Sequence, residues 1–256
     1  MALNALARTD LEAILRARKL DVTLAHPGVD ETHGHALLPI GTALPIGLAL
    51  LDEHLGGGLP RGQMSEVVGP RSSGRTTVMC AALAAATGRG ELVALVDPND
   101  TFDPASAAAC GVTLDRVLWL RGDGTTMGTL PPREKEKGPS ERLLDRALKA
   151  VNLVLQAGGF DLAVLDLSEM PPDAIRRLPF TTWPRLQRVI EGSRTVCLLL
   201  GPAPIARSAG GVSIQLASSS RQGAWSAQMF LGLDIQARVV RARVADDGRC
   251  RLAARA

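Results

Sequence analysis

Residues 69–77 read Gly-Pro-Arg-Ser-Ser-Gly-Arg-Thr-Thr, and this stretch decides the fold. Its spacing is that of a phosphate-binding loop, G-x-x-x-x-G-[K]-[ST], with Arg75 where a lysine is usual. The apolar run Met64–Val68 before it predicts a strand, and the Ala-rich stretch Thr76–Thr87 after it predicts a helix. In such a loop the glycines let backbone N–H groups turn towards an anion, and the helix N-terminus attracts it. The alternative interpretation is a Gly/Ser turn that only caps a helix.

Apolar runs and helical patterns alternate along the middle of the chain. The predicted strands are Leu92–Val96, Val117–Leu120, Leu162–Leu165 and Thr195–Leu200. The predicted helices are Pro104–Ala109, Ser140–Gln156 and Trp183–Glu191. Continuous apolar strands separated by helices indicate an α/β fold, with a mostly parallel central sheet covered by helices on both faces.

The two ends of the chain differ from this middle part. Near the N-terminus, Thr9 and Glu12 form a capping-box pattern that predicts an amphipathic helix. Near the C-terminus, Phe230–Asp234, Arg238–Val244 and Cys250–Ala253 are predicted antiparallel strands, with a turn at Asp246-Asp247-Gly248. We therefore divide the chain into an N-terminal helix and linker (1–42), the core (43–215) and a basic C-terminal hairpin or tail (216–256).

Composition excludes several classes of protein. The chain has 256 residues, 46% of them apolar, and a net charge of +3, which suits one substantial core and excludes a disordered acidic or basic protein. Its apolar runs are too short to span a bilayer and its N-terminus does not read as a secretory signal, so we expect a soluble, cytoplasmic protein. The four cysteines lack zinc-type spacing, and no metal site is expected. Seven aromatic residues without a tyrosine argue against a base-stacking domain.

A family resemblance rests on several motifs in the same order. They are the stretch 51–62 (LDEHLGGGLPRG), the phosphate loop, Phe102-Asp103-Pro104 and the run from Gly159 to Asp166. Together they resemble the cores of bacterial RecA-type recombinases. The resemblance implies a RecA-like P-loop core, in which Asp103 meets the adenine amino group and Asp166 orients magnesium through water.

Four positions depart from that family pattern. Arg75 replaces the lysine, Asn99 the glutamate that activates water, Pro202 the glutamine that senses the γ-phosphate, and Ser106 the tyrosine that stacks on adenine. An amide cannot act as a base at neutral pH, and Asp100 is the alternative base beside Asn99. The resemblance thus implies that ATP hydrolysis is lost or very weak, with no catalytic residue retained. No cofactor is expected, and ATP with magnesium would bind at most weakly. The degenerate nucleotide-binding positions are Gly69, Ser72, Ser73, Gly74, Arg75, Thr76, Thr77, Asp103 and Asp166.

Basic residues provide candidate contacts to DNA or to a partner protein. In RecA-type cores two loops after the last core strands bind DNA, and here they shorten to 168–179 and 202–211. The candidates are Arg176, Arg177 and Arg207 in these loops, and Arg238, Arg241, Arg243, Arg249 and Arg251 in the C-terminal segment. Ordinary solvated surface charge is the alternative interpretation.

A shortened and catalytically altered RecA-like chain is similar to the ImuA group. That resemblance implies an accessory role in bacterial SOS mutagenesis and translesion synthesis. The partner would be an ImuB-like Y-family polymerase homologue, with RecA and DNA as further candidates and no membrane. Two alternatives stay open: a divergent ATP-binding recombinase or recombination mediator with weak ATPase activity, and a module that self-assembles through the N-terminal helix.

Overall fold

The computed structural model describes residues 43–122, 138–206, 210–218, 224–226, 229–241 and 249–255. The predicted N-terminal helix and linker, residues 123–137 and the predicted turn at residues 246–248 lie outside these ranges. Among the described residues, no helix is both long and apolar enough to cross a membrane.

The elements follow the predicted alternation. The strands are β1 (Ala43–Leu44), β2 (Leu59–Pro60), β3 (Met64–Val68), β4 (Val93–Asp97), β5 (Val117–Arg121), β6 (Leu162–Asp166), β7 (Val196–Gly201), β8 (Ser213–Ser218), β9 (Ala224–Ser226), β10 (Met229–Arg241) and β11 (Arg249–Arg255). The α-helices are α1 (Ala49–His54), α2 (Arg75–Gly88), α3 (Pro104–Ala109), α4 (Pro139–Ala157), α5 (Pro172–Arg176) and α6 (Thr182–Ile190).

Most of the strands form one sheet, whose order is β11-β10-β8-β3-β7-β6-β4-β5, with β9 also paired to β10. Every pairing from β8 to β5 is parallel. Strand β10 runs antiparallel to β8, β9 and β11. The predicted α/β fold with a mostly parallel sheet and a C-terminal antiparallel hairpin is confirmed.

Strand residues alternate between two apolar layers. On β6, Leu162 and Val164 join the layer that contains α2, whereas Ala163 and Leu165 join the layer that contains α4 and α6. The same alternation on β7 separates Leu198 from Leu199. Successive side chains of a strand point to opposite faces, so a run without polar residues is what a sheet covered on both sides requires.

Some boundaries differ from the sequence-based expectations. The two strands predicted around residues 230–244 are one continuous strand, β10. Strand β8 was missed because its sequence, SIQLAS, is partly polar: Ile214 and Leu216 are buried while Gln215 is exposed. The proposed boundary after residue 215 falls inside β8. The loop 168–179 contains the short helix α5, which was also missed.

A buried arginine ties together three segments at the end of the sheet opposite the phosphate loop. The Arg61 guanidinium donates to Asp161 Oδ1 at 2.7 Å and to Glu91 Oε1 at 2.6 Å. Its side chain is only 6% exposed. Burial alone would raise the pKa of Glu91, but hydrogen bonds from Arg89 and Arg61 outweigh it and lower that pKa. Arg61 therefore joins the turn before β3 to the segments that lead into β4 and β6.

Candidate functional site

The loop between β3 and α2 has the backbone of an anion cradle. Ser72 and Gly74 lie in the left-handed region, with φ of 58° and 95°. Gly74 caps α2, and the side chains of Ser72 and Thr76 are exposed. Ser73 is buried, and its hydroxyl finds no hydrogen-bond partner within the described chain. The left-handed turns and the helix N-terminus are the elements that phosphate-binding loops use.

Gly74 also has a packing role. A Cβ atom at this position would lie 2.2 Å from Cδ1 of Ile235, which is buried on β10. The absence of a side chain therefore lets the C-terminal strand pack directly against the phosphate loop. A substitution here would be strained by its φ as well as by this contact.

Arg75, at the position of the usual lysine, points into the protein. Only 6% of the surface of Arg75 is exposed, and its Nη1 donates to the backbone oxygen of Ser168 at 3.4 Å. Burial lowers the pKa of Arg75, and the charges of Asp166 and Glu169 partly offset that effect. The guanidinium of Arg75 is thus held inside the protein, near the acids Asp166 and Glu169, and does not face solvent.

Asp166 ends β6 next to Arg75. Its Oδ1 accepts a hydrogen bond from the backbone N–H of Ser168 at 2.9 Å. Burial raises the pKa of Asp166, and the bonds from Ser168 and the charge of Arg75 recover only part of that cost. The Asp166 carboxylate is thus engaged by the backbone of Ser168 and lies near the charge of Arg75.

A second arginine of the loop also contacts the segment that follows β6. Arg71 forms an ion pair with Glu169, three residues beyond Asp166. The Arg71 side chain is largely exposed, while that of Glu169 is less so. Sequence reasoning missed both residues, although an acid shortly after Asp166 and an arginine inside the loop are visible in the sequence. Both arginines of the loop consequently contact this segment: Arg75 donates to the backbone oxygen of Ser168, and Arg71 pairs with the carboxylate of Glu169.

The position of the expected general base holds no free carboxylate. Asn99 is exposed in the turn after β4. Asp100, the alternative base, accepts hydrogen bonds from Arg121 Nε and Nη2, each at 2.8 Å. The Arg121 guanidinium in turn lies 4.4 Å from the centre of the Trp119 ring. The hydrogen bond from Arg121 lowers the pKa of Asp100, which makes it a weaker base.

The expected adenine contacts form a helix cap. Asp103 is the N-cap of α3 and accepts hydrogen bonds from the backbone N–H groups of Ala105 and Ser106, at 3.2 and 3.1 Å. The Ser106 hydroxyl also bonds to Asp103. These hydrogen bonds lower the pKa of Asp103, and the bond from the Ser106 hydroxyl has the largest effect. The residue that replaces the stacking tyrosine thus engages the carboxylate that would meet adenine.

Glu66, in the strand before the phosphate loop, fixes the segment after Pro202. This buried carboxylate accepts hydrogen bonds from the backbone N–H groups of Ile205 at 2.8 Å and Ala206 at 2.9 Å, both through Oε2. Its Oε1 accepts from the Ser213 hydroxyl at 2.7 Å. The sequence gives little sign of this role, because an isolated acid inside an apolar strand does not reveal its partners. The loop that contacts DNA in RecA-type cores is here held from inside.

The structure describes six of the eight candidate basic residues. Arg176 pairs with Asp173, and Arg177 pairs with Glu141 at 3.0 Å, so both have intramolecular partners. Arg238 is exposed on β10, where backbone register places it opposite Arg249, and Arg251 opposite Gln236. Arg241 is opposite Ser213. Arg207 and Arg243 lie outside the described residues.

The loop fits an anion better than it fits magnesium and ATP. Its backbone cradle and the exposed Thr76 hydroxyl are suitable for a phosphate group. The guanidinium of Arg75 is directed to the backbone oxygen of Ser168, and Asp166 is half-buried nearby. Among the described residues there is no group of His, Cys, Asp or Glu side chains that suits a metal ion.

Comparison with known proteins agrees with this architecture. Residues 36–127 match the sequence model of the RecA N-terminal domain. The RecA protein of Borrelia hermsii is 31% identical over 168 residues, which cover 61% of this chain and 42% of that protein. RecA of Salinispora tropica is 33% identical over 160 residues, or 59% of this chain and 40% of that protein. RecA of Streptomyces ambofaciens is 36% identical over 124 residues, or 48% and 28%.

In each case the chain spans less than half the length of the relative that it matches. The matched region includes the phosphate loop and strands β3 to β5. Sheet order, phosphate loop and sequence similarity lead to the same result: the chain has a RecA-like core.

Proposed function

We propose that this chain is a non-catalytic, RecA-like accessory protein of the bacterial DNA damage response and of translesion synthesis. It acts through protein contacts in the cytoplasm, with an ImuB-like polymerase homologue as its principal partner and with RecA or DNA as further partners. The relatives share the name RecA, and this similarity supports a general role in DNA repair or recombination.

One observation carries the proposal: both arginines of the phosphate loop contact the protein's own segment 168–169. Arg75 is directed to Ser168 and its neighbour Asp166, and Arg71 is paired with Glu169. A phosphate that enters the cradle meets the carboxylate of Glu169 beside Arg71, and the guanidinium of Arg75 is directed to the backbone oxygen of Ser168. This arrangement keeps the scaffold and disfavours a bound nucleotide.

The remaining departures support the same conclusion. Asn99 stands where a base is needed, and the neighbouring Asp100 is held by Arg121. Pro202 lacks both the amide and the backbone donor of the sensor glutamine. Ser106 bonds to Asp103 and offers no ring to stack on a base. Each change removes a different step of nucleotide use, so the chain is expected to work by contact.

Nucleotide titration combined with a turnover assay tests this function. Wild-type protein is expected to bind ATP weakly with magnesium, and to show no turnover above background in the presence of single-stranded DNA. Glu169→Gln removes the carboxylate that pairs with Arg71 of the loop and should increase the affinity for ATP or pyrophosphate by several-fold. Glu141→Gln, which changes a similar acid paired with Arg177 away from the loop, is the matched control. Robust ATP turnover that DNA stimulates would refute the proposal.

The backbone of the loop favours a second candidate, a divergent ATP-binding recombinase or recombination mediator. Ser72 and Gly74 retain the left-handed conformations of an anion cradle, and Thr76 is exposed. In this case Arg75 would have to leave Ser168 when ATP binds. The second candidate predicts nucleotide-dependent assembly on DNA, visible by electron microscopy, and loss of that assembly in Thr76→Ala. A failure to bind ATP at millimolar concentration removes it.

A further inference from the structure

One side of the C-terminal part of the sheet is open to solvent. Buried side chains of β8 and β10 belong to the layer that contains α2, and the alternate side chains of both strands are exposed. We call the exposed side the β8–β10 face and define it by Gln215, Ala217, Gln236, Arg238 and Val240. No described residue of β8 or β10 belongs to the other apolar layer, which contains α4 and α6. The described helices that cover the rest of the sheet on that side thus leave this face exposed.

The strands that carry this face are strongly basic. The described strands β8 to β11 contain five arginines and one acid, Asp234. Backbone register places Arg249 of β11 opposite Arg238, and directly opposite residues of antiparallel strands share a face. Arg251 and Arg255 follow Arg249 at positions of the same alternation. The register therefore extends the β8–β10 face onto β11 as a row of cations.

The charge of Arg238 is available to a ligand. Arg176 and Arg177, in the shortened loop after β6, each have an acidic partner inside the chain. Arg238, in contrast, is exposed and forms no ion pair with any residue that the structure describes. Its neighbours on the face, Gln215 and Gln236, carry no charge. An anion that approaches this face therefore has no acid of these strands to displace from Arg238.

The spacing and polarity of the face favour a phosphodiester backbone. Residues on one side of a strand are about 6.6 Å apart and neighbouring strands about 4.8 Å apart, so the register gives the arginines a regular spacing. Nucleic acids carry a phosphate at every repeat, and arginine and glutamine side chains are common phosphate contacts. Val240 is the only large apolar side chain among the five residues that define the face. Protein interfaces, in contrast, are centred on buried apolar or aromatic anchor residues.

We propose that the β8–β10 face binds DNA through its phosphate backbone, independently of base sequence and without a bound nucleotide. The inference rests on the proposed function, in which DNA is a further partner, and it states where the DNA lies. This site is separate from the two shortened loops. The described arginines of the first loop are paired, and Glu66 holds the segment of the second.

Fluorescence anisotropy of a labelled duplex of about 30 base pairs tests this inference, with the full chain and no ATP. Affinity is expected to fall steeply between about 50 and 200 mM salt and to differ by less than about 2-fold between unrelated sequences. Arg238→Glu should weaken binding about 10-fold, and Arg238→Gln should reduce the slope of log affinity against log salt by about 1. Gln215→Glu places an acid opposite Arg238 and should also weaken binding.

Two variants are matched controls for these changes. Arg194 lies before β7, and its side chain is 65% exposed, so Arg194→Glu repeats the charge reversal away from the face. Gln156 is exposed on α4, so Gln156→Glu repeats the added acid. Both controls should leave affinity for the duplex within about 2-fold, because exposed charges distant from a ligand are screened by salt. Equal urea midpoints for all four glutamate variants would show that weaker binding does not reflect unfolding.

Three results would overturn the inference. The first is a wild-type protein that does not bind the duplex at about 50 mM salt, or face variants that bind as tightly as wild type. The second is displacement of DNA by polyglutamate at equal charge, which would assign the face to an acidic protein segment. The third is a loss of binding in Arg176→Glu but not in Arg238→Glu, which would assign DNA to the loop. The assay contains no ATP, so ATP turnover by the wild type would refute the proposed function and leave this result unaffected.

Discussion

Replacing Glu66 tests how the strand before the phosphate loop organises the opposite wall of the site. Glu66→Ala removes the acceptor of three buried donors: the N–H groups of Ile205 and Ala206 and the hydroxyl of Ser213. Each buried donor left without a partner costs about 1–3 kcal/mol. The sum, with partial rearrangement of the loop, is about 4 kcal/mol, a large part of the ~5–15 kcal/mol that stabilises a typical domain.

Glu66→Gln is the informative partner of that change. The amide oxygen still accepts from both backbone N–H groups, and its nitrogen donates to the Ser213 oxygen. Only the charge of the acceptor is lost, which weakens each bond by about 1 kcal/mol, and relief from burying a charge returns part of this. We expect a loss of about 1–2 kcal/mol, clearly smaller than for alanine.

Urea unfolding followed by tryptophan fluorescence measures both changes. With a slope of about 3 kcal/mol per molar urea, Glu66→Ala should lower the midpoint by about 1.3 M and Glu66→Gln by less than half of that. Glu141→Gln, whose acid has one exposed ion pair, should change stability by less than about 0.5 kcal/mol. An alanine variant within about 1 kcal/mol of wild type would show that the carboxylate does not hold residues 205 and 206.

Three further predictions concern the buried charges and the packed loop. Because burial raises the pKa of Asp166 above its unfolded value, the folded state loses stability as pH rises from the unfolded pKa through the folded one. Asp166→Asn should therefore stabilise the protein by about 1 kcal/mol at pH 8 and hardly at all at pH 3, measured by thermal unfolding. Destabilisation at pH 8 would mean that attraction to Arg75 dominates. Because the pKa of Glu91 is lowered, its ion pair with Arg61 stabilises the folded state at neutral pH, and this stabilisation is lost as pH falls below about 4. Arg61→Met should therefore cost about 3 kcal/mol at pH 7 and less in acid, as urea midpoints at the two pH values would show. An equal cost at both pH values would contradict this. Gly74→Ala should cost about 2 kcal/mol or more by urea unfolding, because it adds strain at positive φ and a clash with Ile235. Ile235→Ala leaves a cavity of its own, but it also removes the clash, so the double variant should lose less stability than the sum of the two single losses; strictly additive losses would contradict the contact.

The fold was predictable from the sequence wherever burial acts on both faces of a strand. The run Leu162–Leu165 has no polar residue, and it lies between two apolar layers. Strand β8 escaped detection because its outward positions are polar and its pattern is short. Strand β10 was divided in two because Ile235 lies among polar neighbours, whereas its backbone pairing with β11 runs unbroken from Gly232 to Arg238.

The candidate site was predictable in its positions but not in its orientations. The spacing of residues 69–77 located the loop, and the resemblance located Asn99 and Pro202. Spacing does not state which way an arginine side chain points, so the contact of Arg75 with Ser168 was beyond it. Partners distant in sequence, such as Arg71 with Glu169 and Glu66 with Ile205, arise only when the strands align side by side.

The contact of Ile235 with Gly74 has a consequence for the synthesis of the chain on the ribosome. The phosphate loop lies near the start of the described core, but the strand that packs against it, β10, is made much later. A nascent chain that has completed the parallel strands still lacks this neighbour, and contacts between segments so distant in sequence form late. The loop therefore takes its final shape only after β10 has emerged. A transcript that ends before β10 would yield a chain with the phosphate-loop motif in its sequence and an unfinished loop in its structure.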